Sequence, residues 1–143
     1  MEETVKEKSL QHEAAALAEA APKTSFSELD ETLKLALECA SEKKGINITA
    51  LDLREIASFA DFFVIATGLN TRQVQAISNE IEEQLKKRLQ TKTLRIEGYP
   101  TAEWVLMDYG DFIVHIFEKD ARGFYDLERL WSDAKRVDLP EGL

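Results

Sequence analysis

A chain of 143 residues with 44% hydrophobic content is sized for one domain with its own core, and apolar runs such as Phe62-Phe63-Val64-Ile65-Ala66 fall far below the ~20 residues of a membrane span. Against 18 bases stand 27 acids, and the net charge of −9 argues against broad nucleic-acid contact and favours a basic protein surface as partner. Cys39 is the only cysteine, so no intrachain disulfide forms; the acidic opening (Glu2, Glu3, Glu13) fits neither a secretory signal nor a transit peptide, and a cytoplasmic protein is expected.

Residues 1–24 are rich in Ala, Glu and Lys and carry Pro22 near their end. With little to bury beyond alanine, they read as a mobile acidic extension that adds little to binding. The folded domain, residues 25–143, opens where either Ser25 with Glu28 or Ser27 with Asp30 can form a capping box. Leu29, Leu33, Ala36, Leu37 and Ala40 then share one helical face. Cys39 lies beside that stripe, with no histidine close in sequence to activate it, and reads as core filler. Lys43, Lys44 and Gly45 supply a basic last turn and a left-handed stop.

Strands are predicted at 48–53 and 61–67, the second ended by Gly68. Asn70 then caps a helix, with Gln73 placed to complete the box, and Val74, Ile77, Ile81, Leu85 and Leu89 give it an apolar face. The one dense basic cluster, Lys86-Lys87-Arg88, falls at its end, where cations favour the helix dipole. A short strand at 94–97 is closed by Gly98 and Pro100. Strands at 103–107 and 112–118 are joined by Asp108-Tyr109-Gly110, a three-residue hairpin loop with Gly110 in the left-handed region. Asp120 is expected to cap a last helix that carries Phe124, Leu127, Leu130 and Trp131 inward, before a tail ending at Pro140 and Gly142. Helices alternating with strands that are apolar on both faces predict an α/β fold, a mixed five-stranded sheet flanked by helices.

Candidate chemistry is sparse. The Thr67-Gly68-Leu69-Asn70 turn leads from strand to helix but lacks the glycines of a dinucleotide site and the Gly-Lys-Ser/Thr of a P-loop, so it reads as an ordinary turn. Asp108 and Asp111 flank the hairpin, yet no further acid is spaced to share a metal with them, and aspartates in turns serve local hydrogen bonds. Neither a metal nor a cofactor is expected. His115 alternates with Ile113 and Phe117 on one strand face; it suits a hydrogen-bonded, buried histidine or a partner contact. Trp104, Leu106 and Asp108 share a strand face with Tyr109 in the adjoining turn. Trp104 reads equally as core or as the anchor of an interface in which a carboxylate meets Lys or Arg. The residues alone therefore give an acidic α/β domain with a candidate protein-binding patch.

Three stretches carry a resemblance: Asp61-Phe62-Phe63-Val64-Ile65-Ala66-Thr67-Gly68 with Arg72; Glu97-Gly98 continuing to the run from Trp104 to His115; and the run from Arg122 to Trp131. In this order and spacing they resemble the Iojap family of ribosomal silencing factors. The resemblance implies a mixed-sheet fold similar to nucleotidyltransferases but without their catalytic glycine-serine and paired-aspartate signature. It also implies a non-enzymatic role: binding the fourteenth protein of the large ribosomal subunit, keeping the small subunit from joining, and damping translation when nutrients run short. Carried over by position, the binding patch is Trp104, Asp108, Tyr109, Gly110 and Asp111, with His115 and Tyr125, and a homodimer is a further expectation. A metal-dependent nucleotidyltransferase is the alternative function. Asn70 stands where the family usually has serine, which also caps helices, and residues before Ser25 lie outside the resemblance.

Overall fold

The computed structural model describes residues 4–14 and 22–143. Its centre is β3 (Phe62–Gly68) beside β6 (Phe112–Glu118), two parallel strands buried along almost their whole length. Runs of Val, Ile and Phe suit such strands because both faces are covered. Antiparallel strands extend the sheet on either side: β2 (Ile46–Asp52) and β7 (Lys135–Asp138) from β3, and β5 (Trp104–Asp108) and β4 (Arg95–Glu97) from β6. A two-residue strand, β1 (Thr24–Ser25), runs parallel to β7 at one edge. Among the described residues the sheet has seven strands, in the order β1-β7-β2-β3-β6-β5-β4.

Two helices cover one face. In α2 (Glu31–Glu42) and α3 (Thr71–Leu89), the stripes read from the sequence pack on Val64, Ala66, Val105, Met107, Val114 and Ile116. Ile77, Ile81 and Leu85 are fully buried, each contributing about 1.5–3 kcal/mol of transfer free energy. Cys39 is core here, as expected. On the opposite face Leu51, Phe63, Ile65, Trp104, Leu106, Ile113 and Phe117 line up, the alternation of period two made visible. Covering this second face are α4 (Lys119–Tyr125), α5 (Leu127–Leu130) and a short N-terminal helix, α1 (Val5–Leu10).

Several expectations are corrected. Among the described residues the sheet has seven strands and not five, because β7 carries one inward apolar residue, Val137, and β1 is too short to show a pattern. The box formed by Ser25 and Glu28 closes a single 3-10 turn, Phe26–Glu28, and Asp30 itself caps α2. Lys44, not Gly45, takes the left-handed conformation after α2; a side chain at Gly45 would press on the Ala40 carbonyl. Gln73 accepts the N–H of Leu69, one residue before the cap, while Asn70 accepts that of Gln73. Glu118, not Asp120, caps the last helical segment, which breaks at Asp126, where φ is 50°. The break turns Phe124 outward to 81% exposure while Leu127 and Trp131 stay inside.

The opening segment departs most from expectation. Val5 and Leu10 pack on the second face and Ser9 is fully buried, so residues 4–14 are held against the body. Residues 1–3 and 15–21 of the expected mobile extension lie outside the described residues. Thr24 pairs with Val137 in the sheet, and the expected domain start at Ser25 falls inside β1.

Candidate functional site

The seven candidate residues occupy two places. Asp108, Tyr109, Gly110 and Asp111 form the hairpin between β5 and β6. Its geometry follows from local bonds: the Asp108 carboxylate accepts the Gly110 N–H at 2.8 Å, the Tyr109 N–H donates to the Phe112 carbonyl at 3.0 Å, and Gly110 has φ +87°. Gly110 and Asp111 are exposed, and Leu94, 73% exposed, stands beside the glycine. Tyr109 stacks on Phe112 at 5.1 Å and packs against the α2/α3 core, so its ring turns away from the face that holds Trp104. Burial pushes its phenol pKa up, helped by Glu82 and Cys39.

Trp104, His115 and Tyr125 make the second place. Trp104 lies four residues before Asp108, about 13 Å along the strand. The single patch expected from sequence is therefore split along β5. Tyr125 stands 4.7 Å from the Trp104 indole, and Phe117 and His115 at 5.1 and 5.8 Å. The Trp104 Nε1–H donates to His115 Nδ1 at 3.0 Å. An accepting Nδ1 places the imidazole proton on Nε2, which finds no acceptor among the described residues. Burial, with the charge of Lys6 assisting, pushes the His115 pKa down to about 3. Neutral, fully buried and with its lone pair engaged, this histidine orients the indole and is poorly placed for acid–base work.

Trp104 is only 4% exposed, and part of its cover is the N-terminal segment. Lys6 Nζ sits 4.8 Å above the indole ring and donates to the Trp104 carbonyl at 2.8 Å. Gly98, with φ +79°, keeps that approach open, since a Cβ there would collide with the Trp104 carbonyl and with Lys6 Nζ. The Lys6 pKa is lowered by burial and raised in part by Glu97, whose buried Oε2 has no hydrogen-bond partner among the described residues. Further along, Trp131 Nε1–H donates to the Ser9 carbonyl at 2.8 Å. The His12 ring stacks on Trp131 at 3.7 Å and bonds Asp133 at 2.8 Å. None of these contacts was legible in sequence, because they join residues about 100 or more positions apart.

Arg122, seen in sequence only as part of a motif, ties the helical layer to the sheet. Its guanidinium donates to the Asn47 carbonyl, to Thr67 and Thr49 hydroxyls and, through two nitrogens, to both oxygens of Glu128. Phe124 meets Tyr125 edge-on at 5.1 Å and adds an exposed ring beside the aromatic face. Cys39, pushed up to about 11 by burial and by neighbouring Glu80, remains a thiol at neutral pH and is a poor nucleophile. At the Gly68 turn Gln73 accepts the Leu69 N–H and Asn70 accepts the Gln73 N–H, the pattern of a capped helix start. Among the described residues no three His, Cys, Asp or Glu side chains group to hold a metal ion, and no helix is long and apolar enough to cross a membrane.

Comparison with known proteins gives a consistent picture. The family described as ribosomal silencing factor during starvation matches residues 26–143. A ribosomal silencing factor of Halalkalibacterium halodurans is 44% identical over 110 residues, covering 76% of this chain and 92% of the relative. That of Bacillus subtilis is 44% identical over 112 residues, with coverages of 78% and 93%. A chloroplast Iojap protein of Zea mays is 34% identical over 103 residues, 72% of this chain and 44% of the relative. A crystal structure of a Bacillus halodurans protein superimposes with a TM-score of 0.67 at 40% identity, covering 76% of this chain and 98% of that one. A Chromobacterium violaceum protein gives 0.69 at 35% identity, with 78% and 88% covered.

Proposed function

Because the chain belongs to the family of ribosomal silencing factors, we propose that it binds the large ribosomal subunit through that subunit's fourteenth protein and bars the small subunit from joining. The observation that carries this reading is family membership over almost the whole folded part of the chain. No catalysis is required: a bound domain that overlaps the joining surface excludes the second subunit by volume, and translation falls with occupancy. A net charge of −9 suits a basic protein partner.

The contact has two parts in this reading. The exposed hairpin carboxylate of Asp111, with Asp108 and Gly110 beside it, meets basic side chains. The aromatic face of Trp104, Tyr125 and exposed Phe124 supplies apolar area, with Tyr109 at the margin and His115 acting from beneath by orienting Trp104. Pairing of two copies belongs to the same proposal, as does a cytoplasmic site of action. The kinship of the sheet to nucleotidyltransferases, without their chemistry, is also part of it.

Pelleting with purified large subunits tests the reading. Stoichiometric co-sedimentation is expected for the wild-type chain, and loss of at least tenfold in affinity for Asp111→Lys, whose side chain projects into solvent and can be reversed in charge without disturbing the core. Trp104→Ala is a poorer probe, since truncating a buried tryptophan costs about 3–5 kcal/mol of stability. Absence of the wild-type chain from the pellet would refute the reading.

A further inference from the structure

We propose that residues 4–14 are a displaceable cap, occupying the aromatic face on which a basic protein partner docks. The proposal rests on the reading above and adds a competitor built into the chain. Its basis is the kind of contact the segment makes. Lys6 puts an ammonium over the Trp104 ring, bonds the carbonyl of the same residue and lies within the field of the Glu97 carboxylate. An aromatic face, a carbonyl and an acid are what a Lys or Arg of a basic partner would seek. Lys6 thus stands where the partner's cation would stand.

The rest of the segment is fitted to its seat by polar anchors. The Ser9 carbonyl takes the Trp131 indole N–H, and His12 stacks on that ring while bonding Asp133. The apolar contribution is small, Val5 and Leu10. A helix of six residues does not persist alone in water, so release of the anchors and melting of the helix are one event. The matched family region begins at residue 26, so the cap stands outside it while the face it covers lies within. Tethered to the body, the segment competes at high effective concentration. If the face is open about a tenth of the time, apparent affinity for the partner is about tenfold weaker than that of the open form.

The test uses the full chain carrying Lys6→Glu together with His12→Ala. Acrylamide quenching of tryptophan fluorescence reports the seat, because both indoles, Trp104 and Trp131, lie beneath the segment. Affinity for purified large subunits reports competition. Quenching is expected to rise at least twofold and affinity to tighten about tenfold. Lys8→Glu, the same charge change at an exposed position of the same helix, is expected to leave affinity within about twofold. More quenching with unchanged or weaker affinity would overturn the cap and leave ribosome binding standing. Unchanged quenching, or an equal gain from Lys8→Glu, would also overturn it. Failure of every form to bind would remove the underlying reading, and the cap with it.

Discussion

At the scale of single residues, His115 turns burial into a pH dependence. Its pKa sits near 3 in the folded chain against an ordinary 6.5, so below 6.5 the unfolded chain takes up a proton that the folded one resists. Above 6.5 this group exacts no penalty; the penalty grows as pH falls toward 3 and is constant below. Between pH 7 and pH 5 urea unfolding should show a loss of about 2 kcal/mol that His115→Gln, which does not titrate, lacks. Equal losses in both proteins would mean that the imidazole is not buried neutral. Gly110 gives a second prediction. Its φ of +87° is unfavourable for any side chain, although an added Cβ would meet only Leu94 at 3.5 Å. Gly110→Ala should therefore cost about 1–2 kcal/mol by denaturant titration, from backbone strain and not from collision. A neutral substitution would show that the hairpin relaxes to another turn.

Among elements, long-range polar ties decide what local patterns cannot. Arg122 joins α4 and α5 to β2 and β3 through five bonds, with its side chain only 11% exposed. Arg122→Ala should destabilise by about 3 kcal/mol, and lysine should recover little because its point charge cannot span Glu128 and the strand oxygens together. Full recovery by lysine in a thermal melt would contradict that. The same distinction explains what was legible in sequence. The stripes of α2 and α3 and the alternation along β6 record burial directly, and the structure follows them residue by residue. Strand β7 is added through its neighbours, and the helical register that would carry Phe124 inward with Leu127 is interrupted at Asp126, so periodicity missed both. Residues 4–14 were unreadable for the same cause: Lys6, Ser9 and His12 find their partners only after folding. The expectation that the opening segment leaves binding almost unchanged and the proposed competitive role predict opposite results for the same affinity measurement.

For the whole molecule, the proposed function makes an acidic domain of this size a wedge whose effect is set by occupancy. The candidate site was half legible: its residue types and their spacing along β5 could be named from sequence, while the burial of Trp104 and the turning of Tyr109 toward the opposite core required the fold. The proposed two-part contact requires that both parts engage one partner. Subunit joining measures the consequence most directly. Light scattering on mixing purified large and small subunits, with the wild-type chain present at ten times its dissociation constant, should show about a tenth of the joining seen without it. Undiminished joining by large subunits that carry the bound chain would contradict the proposed steric block.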